Sequence, residues 1–171
     1  MRPTELLHAR SPARRFSIKI NVDAIIGLKF FTVAAVERDW RGRLVFACSQ
    51  KVNTTFPLQA EAEAEAVKWA LLLAAKLEFE GIYIESDSKI CCDALINPSQ
   101  ASPWRIRSKV MEMQVLLYAL SNVFVSWVPR LANMVAHSLA KWSLSCYFFC
   151  SFDIGCYPPN FASVVRDEVG S

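Results

Sequence analysis

Residues 58–77 decide the fold of this chain: Leu58-Gln-Ala-Glu-Ala-Glu-Ala-Glu-Ala-Val-Lys-Trp-Ala-Leu-Leu-Leu-Ala-Ala-Lys-Leu77. Counting from Glu63 as i, the positions i+3, i+4, i+7, i+8, i+11 and i+14 carry Ala66, Val67, Ala70, Leu71, Ala74 and Leu77. A continuous stripe of this kind predicts an amphipathic helix that packs against a core. Glu63 is the charged member of the stripe, because Glu61 and Glu65 point away from it.

Three strands are predicted before this helix. Ile18, Ile20 and Val22 alternate with polar residues, which is the period-two pattern of a strand. Residues 30–38 and 44–52 have the composition of two further strands, and the turn-forming segment Asp39-Trp40-Arg41-Gly42 lies between them. We therefore expect an antiparallel meander.

Helices and strands alternate after the long helix, and prolines in Asn97-Pro98 and Ser102-Pro103 interrupt the chain between two of the helices. The predicted elements are a strand at 82–86, a helix to about residue 95, a helix at 106–120, a strand at 123–128 and a helix at 131–145. This order predicts an α/β fold, with a five-stranded mixed sheet flanked by helices.

The composition is that of a globular domain. The 171 residues are 53% hydrophobic and 20% charged, which supports one packed core and excludes a disordered protein. The net charge of +3 permits nucleic-acid binding without requiring it. The apolar run at residues 70–75 is too short to span a membrane, so we expect no membrane association.

Three regions are predicted along the chain. Residues 1–15 are basic and are expected to be a disordered leader, with an organelle transit peptide as the alternative. Residues 16–145 form the predicted domain, and residues 146–171 are expected to be an irregular tail. The six cysteines lack paired C-x-x-C spacing, so we expect reduced thiols in an intracellular protein of the nucleus or cytoplasm, with an organelle left open. The three tail cysteines either bind a metal or are buried or idle thiols.

Three acidic residues stand where a sheet could gather them. Asp23 ends the first predicted strand, Asp87 ends the fourth, and Glu63 lies on the apolar face of the long helix, where an unpaired charge is costly. Ligands bind at the carboxyl ends of strands in open α/β sheets, so the three carboxylates converge if the first and fourth strands are neighbours. Such a cluster favours Mg²⁺ or Mn²⁺ over zinc, and two such ions can promote phosphodiester hydrolysis.

Each of these acids also has a purely structural explanation. Asp87 could cap the helix that follows it, and Glu63 could favour the dipole at the start of its own helix. Asp23 could be an ordinary turn residue. Their joint occurrence at the ends of elements is what favours a site.

Five segments occur together in a specific order and spacing: Lys19-Ile-Asn-Val-Asp23, Val36-Glu-Arg-Asp-Trp-Arg-Gly42, Ala60-Glu-Ala-Glu-Ala-Glu-Ala66, Glu85-Ser-Asp-Ser88 and Val128-Pro-Arg-Leu-Ala-Asn-Met-Val-Ala-His-Ser-Leu-Ala-Lys141. In this combination they resemble the type 1 ribonuclease H family, and most of all its plant, retroelement-derived branch. The resemblance covers Ile18 to Ser145. It implies a five-stranded mixed sheet flanked by helices and endonucleolytic hydrolysis of the RNA strand of RNA–DNA hybrids by two-metal catalysis.

The resemblance also implies which residues form the site. It places three of the four expected acids at Asp23, Glu63 and Asp87, as catalytic residues that bind Mg²⁺ or, alternatively, Mn²⁺. The fourth acid should lie four residues after Asn133, where this chain has His137. Imidazole is a poor ligand for magnesium. Our hypothesis is that His137 is catalytic and positions or protonates a group near the second ion; the alternative is a surface histidine that marks lost activity.

Cationic and polar residues near these acids are candidate contacts for nucleic acid. Lys89, Arg130 and Asn133 are predicted to bind it. Trp104 and the cations at 105, 107 and 109 could form a basic platform, or a solvated helix face with a packed tryptophan. The histidine-bearing mobile loop that the family's hydrolases carry before the last helix has no counterpart here.

Three functions are compatible with the sequence. The first is a magnesium-dependent ribonuclease that acts on RNA–DNA hybrids as a monomer. The second is a nucleic-acid-binding module of the same fold with weakened or no turnover, and the third is a structural or interaction remnant of a retroelement. The sequence indicates no protein partner.

Overall fold

The computed structural model describes residues 17–54, 58–146 and 150–153. The strands are β1 (Ser17–Ile26), β2 (Phe30–Asp39), β3 (Leu44–Asn53), β4 (Gly81–Ser86), β5 (Val123–Trp127) and β6 (Cys150–Asp153). The helices are α1 (Gln59–Ala74), α2 (Lys89–Ile96), α3 (Arg107–Ala119) and α4 (Met134–Leu144), and a 3₁₀ turn (Arg130–Asn133) precedes α4.

The strands form one mixed sheet in the order β5-β4-β1-β2-β3-β6. The pairs β1–β2 and β2–β3 are antiparallel, whereas β1–β4 and β4–β5 are parallel. The five strands predicted from the sequence and the α/β class are therefore confirmed. Parallel neighbours need crossover connections: α1 lies in the connection between β1 and β4, and α2 and α3 lie between β4 and β5.

The first strand differs from the prediction in one respect that matters for the site. β1 does not end at Asp23 but continues to Ile26, paired with β2 over this length. Its pairing with β4 does stop close to Asp23, at the pair Val22–Ser86. Asp23 and Asp87 each follow this last pair by one residue, so they lie side by side at the carboxyl end of β4.

Helices cover both faces of the sheet. α1 presents Ala62, Ala66, Ala70 and Ala74 to the larger core cluster, and these small side chains are almost completely buried. Small residues allow the helix axis to lie close to the strands. α4 packs on the other face through Val135, Ala136, Leu139 and Ala140, which form a second cluster with residues of β2 and β3.

The predicted turn at residues 39–42 is confirmed. Gly42 has a φ of 78°, a left-handed conformation that glycine adopts without steric cost. The Asp39 carboxylate accepts hydrogen bonds from the backbone N–H groups of Arg41 and Arg43, at 2.9 Å each. These contacts close the β2–β3 hairpin.

The C-terminal region contains a strand that the sequence pattern did not indicate. β6 pairs antiparallel with residues 46–49 of β3, so the expectation of an irregular tail is wrong for residues 150–153. The backbone of β3 offers an edge on which a short segment can pair, whatever its periodicity. The predicted leader and residues 154–171 lie outside the described part of the chain.

The structure also describes the cysteines and the length of the helices, on which the sequence predictions about thiols and membranes depend. Cys48, Cys91, Cys92 and Cys146 are free thiols. Across the described ranges, no helix combines the length and the apolar character needed to cross a membrane.

Candidate metal centre

Three carboxylates from three different elements converge at the carboxyl end of β4. Asp23 comes from β1, Glu63 from α1, and Asp87 from the residue that follows β4. One carboxylate oxygen of each lies within 4.8 Å of the others. The structure therefore brings together the acids that the sequence singled out.

Glu63 is held in place by a neighbour on its own helix. Gln59 Nε2 lies 2.5 Å from Glu63 Oε1 and 3.1 Å from the carbonyl oxygen of Ala24. The amide thus ties the first turn of α1 to β1 and orients the carboxylate toward Asp23. Sequence analysis missed Gln59, although its position four residues before Glu63 places the two side chains on one helix face.

Burial and mutual repulsion dominate the electrostatics of the cluster. Burial, together with the charge of Asp23, raises the pKa of Glu63 to about 8. Burial and then the charge of Asp87 raise the pKa of Asp23, against the opposing effects of His137 and Arg130. Carboxylates that face one another away from water favour a proton or a cation between them.

The oxygen atoms of the cluster fit a hard divalent cation. Asp23 Oδ1, Glu63 Oε2 and Asp87 Oδ1 are buried and accept no hydrogen bond from any described residue. A buried acceptor without a partner costs about 1–3 kcal/mol, and more when it is charged. Carboxylate oxygens are the ligands that Mg²⁺ and Mn²⁺ prefer, so the donor set is chemically suited to either ion.

Two cationic or potentially cationic side chains border the cluster on one side. Arg130 Nε lies 2.5 Å from Asp87 Oδ2, as an ion pair without hydrogen-bond geometry, and Arg130 Nη1 lies 3.6 Å from Asp23 Oδ2. His137 Nδ1 lies 2.7 Å from Asp23 Oδ2 and 2.5 Å from Arg130 Nη1. The histidine at the position of the fourth acid therefore contacts the first acid, and its side chain is 27% exposed.

Asn133 is buried beside the acids. It is 1% exposed, and its Nδ2 donates a hydrogen bond of 2.9 Å to the carbonyl oxygen of Val22. This bond fastens the 3₁₀ turn to β1, beside Asp23. The described residues thus enclose Asn133 almost completely, and its contact with nucleic acid stays a prediction.

Lys89 lies beside the acids, next to an aromatic residue that sequence analysis missed. Lys89 is exposed, and its Nζ lies 5.9 Å from the centre of the Trp127 ring. Trp127 Nε1 donates to the backbone oxygen of Asp87 at 3.2 Å, while the residue stays 46% exposed. Its position at the end of the strand next to β4 is the sequence signal that could have identified it.

The basic segment after residue 103 is largely neutralised by α1. Lys109 Nζ lies 2.5 Å from Glu65, and Arg105 lies 4.0 Å from Glu61 while its guanidinium stacks on Trp104. These pairs favour the ion-paired helix face over a free basic platform. Trp104 is 75% exposed, so the expectation of a packed tryptophan is wrong.

Residues 31–143 match the model of the reverse transcriptase-like family. No curated protein sequence matches the chain. Similar solved structures include the ribonuclease H1 of the halophilic archaeon Halobacterium salinarum NRC-1, at 22% identity, with 75% of this chain and 97% of that chain covered and a TM-score of 0.66.

Two further structures show the same likeness. The N-terminal ribonuclease H domain of a Mycobacterium tuberculosis protein is 18% identical, with 75% and 94% of the two chains covered and a TM-score of 0.63. A ribonuclease H1 isolated from compost by a metagenomic approach, in complex with an RNA/DNA hybrid, is 17% identical, with 75% and 99% covered and a TM-score of 0.60. At these identities the likeness establishes the fold.

Proposed function

Because this chain belongs to the reverse transcriptase-like family and has the ribonuclease H fold, we propose that it hydrolyses the RNA strand of RNA–DNA hybrids with Mg²⁺ or Mn²⁺ bound. The observation that carries the proposal is the set of four buried carboxylate oxygens, Asp23 Oδ1, Glu63 Oε2 and both oxygens of Asp87, that have no hydrogen-bond partner among the described residues. Such oxygens are costly in a folded protein unless a ligand uses them.

Asp23, Glu63 and Asp87 would hold the ion through these oxygens. A bound divalent ion supplies Lewis-acid activation of the scissile phosphate and of the attacking water. The protein supplies the rigid placement: parallel pairing of β1 and β4 fixes Asp23 and Asp87, and the Gln59 amide fixes Glu63. Preorganised charges of this kind need no rearrangement during the reaction.

His137 has the position and chemistry to move a proton. Its Nδ1 contacts Asp23, and the ring is partly open to solvent, where it can exchange protons with water. We assign it to positioning or protonation at the rim of the site, as its poor suitability as a magnesium ligand requires. Asn133 supports this side of the site through its bond to β1.

Lys89 and Trp127 are the proposed substrate contacts. The Lys89 ammonium can bind a phosphate beside Asp87, and the exposed face of Trp127 can stack on a base or sugar of the strand to be cut. Because the indole N–H is bound to the Asp87 carbonyl, this face is fixed relative to the carboxylates. Contacts to phosphate and ribose suit a hybrid, which is recognised by shape and 2′-hydroxyl groups.

A cleavage assay tests the proposal. A labelled RNA–DNA hybrid is incubated with the full chain in Mg²⁺, in Mn²⁺ and in EDTA, beside the variant Asp23→Asn and the matched control Asp93→Asn on α2. We expect metal-dependent cutting of the RNA strand that Asp23→Asn abolishes and Asp93→Asn retains. Absence of cutting by folded protein in both metals would refute the nuclease.

The ion pairs of Arg130 favour a second candidate, hybrid binding without turnover. The guanidinium contacts both Asp87 and Asp23, so part of the carboxylate charge is already neutralised. In that case the folded protein shifts a labelled hybrid in a binding assay in either metal, and no cleaved RNA accumulates.

A further inference from the structure

The six oxygens of the three carboxylates differ in their surroundings. Asp23 Oδ1, Glu63 Oε2 and Asp87 Oδ1 are buried and have no partner among the described residues. Asp23 Oδ2 and Asp87 Oδ2 face Arg130, at 3.6 Å from Nη1 and 2.5 Å from Nε, although Asp87 Oδ2 accepts no hydrogen bond. Glu63 Oε1 accepts a hydrogen bond from Gln59. The cluster therefore has one open side and one side that already meets a cation.

Arg130 is placed on this side by the backbone. It is the first residue of the 3₁₀ turn, separated from the end of β5 by two residues. Asn133 at the other end of the turn donates a hydrogen bond to the Val22 carbonyl, one residue before Asp23. His137 Nδ1 contacts both Arg130 Nη1 and Asp23 Oδ2. The guanidinium thus lies against the histidine that stands at the position expected for a fourth acid.

The summed charge of the carboxylates and Arg130 is balanced by one divalent ion. Once a bound ion has displaced the proton of Glu63, the three carboxylates carry three negative charges, and the Arg130 guanidinium neutralises one of them. The remaining two match one divalent cation. A second divalent cation would leave two positive charges in excess, in a place where Asp23 is completely buried and uncompensated charge is strongly unfavourable.

We propose that Arg130 acts as the second cation of this site, so that the protein binds one divalent ion, at Asp23 Oδ1, Glu63 Oε2 and Asp87 Oδ1. The guanidinium contacts Asp23 Oδ2 and Asp87 Oδ2, the carboxylate oxygens that a second ion would need as ligands. This inference rests on the divalent-ion site of the proposed function and replaces the two-ion expectation drawn from the sequence resemblance.

The test counts ions directly, without using activity. The full chain, free of nucleic acid, is titrated with Mn²⁺, and free Mn²⁺ is measured by electron paramagnetic resonance. We expect one Mn²⁺ per chain. Arg130→Gln should raise the affinity for this ion about tenfold, because it removes a neighbouring positive charge. The double variant Arg130→Gln/His137→Asp should bind two ions, since it restores a carboxylate where the cation stood.

Two further variants control for charge and for folding. Arg105→Gln removes an arginine whose partner, Glu61, lies outside the cluster, and it should change neither the number of ions nor the affinity. Arg130→Lys keeps the charge and should bind one ion with nearly the wild-type affinity, which separates a loss of charge from a general disturbance of the turn.

The outcomes separate the inference from the proposed function. Two Mn²⁺ of comparable affinity on the wild-type chain would overturn the role of Arg130 and leave the nuclease proposal standing. Unchanged affinity in Arg130→Gln, or a single ion on the double variant, would overturn it as well. No Mn²⁺ on any variant would remove the divalent-ion site itself, and with it the proposed function.

Discussion

α4 borders two groups of buried polar side chains that differ in whether their hydrogen bonds are complete. Toward its C-terminal end, Thr32 Oγ1 donates to the Ala140 carbonyl at 2.7 Å, and Ser143 Oγ lies 2.6 Å from Ser49 Oγ. At its first turn, His137 meets a cluster of carboxylates whose oxygens are partly unpaired. The neutral group, whose hydrogen bonds are complete, fixes the position of the helix. The charged group, whose oxygens lack hydrogen-bond partners, is suited to binding a ligand.

The largest effect should come from neutralising the incomplete group. Glu63→Gln keeps the shape of the side chain and removes one charged ligand, which we expect to lower the rate of hybrid cleavage by about 10²–10⁴-fold, the equivalent of several kcal/mol of lost stabilisation. Cleavage rates at saturating Mg²⁺ measure this. The control Glu65→Gln, two residues along the same helix, should cleave at nearly the wild-type rate; equal rates for both variants would show that the unpaired oxygen has no function.

The same residue should make stability depend on pH. The pKa of Glu63 is raised from 4.5 to about 8, so the folded state holds a proton that the unfolded chain has already released. With EDTA present, its contribution to stability is complete below pH 4.5 and is lost as the pH rises through about 8. We therefore expect the melting temperature to fall over this window, and to fall less in Glu63→Gln. A steeper fall in the variant would contradict the assignment.

Breaking the complete group should affect stability alone. Ser143→Ala removes the partner of the buried Ser49 hydroxyl, and we expect the free energy of unfolding to fall by about 1–2 kcal/mol. Urea denaturation measures the change, and the cleavage rate should stay within about twofold of the wild type. A large loss of cleavage in this variant would mean that the two groups are coupled through α4.

The smallest effect should come from a position remote from both groups. Gly42→Ala adds a Cβ that meets nothing within 4 Å, but the residue has a φ of 78°, so the cost is the backbone strain alone, about 1 kcal/mol. Urea denaturation again provides the value. The loss of unfolding free energy in this variant is a reference value for a local defect outside both groups. Its Mn²⁺ affinity and its cleavage rate should match those of the wild type.

The sequence was most informative where a residue type conflicted with its surroundings. Glu63 stood on an apolar helix stripe, and in the structure it is buried at the carboxylate cluster. The convergence of Asp23 and Asp87 was conditional on β1 and β4 being neighbours, which the parallel register confirms. Periodicity and element order were sufficient for these inferences, because both depend on local pattern and on a small set of sheet topologies.

Contacts that depend on how the chain folds back were not predictable. The sequence predicted Arg130 and Asn133 as contacts for nucleic acid. It gave no indication that the 3₁₀ turn places the guanidinium against Asp87 and buries Asn133 against β1. No periodic pattern encodes such a turn. β6 was not predicted for a similar reason. A strand of four residues is too short to show a clear alternation of apolar and polar residues, and it forms because an edge is present on which it can pair.

That short strand also bears on how copies of this protein behave toward one another. Backbone N–H and C=O groups along an open sheet edge can pair with a strand of another molecule and start aggregation. Here β6 occupies the β3 edge at residues 46–49, and the opposite edge is formed by β5, which is only 5 residues long. A substitution that released β6 would therefore cause self-association at high protein concentration, while the chemistry of the carboxylates around β1 and β4 stayed the same.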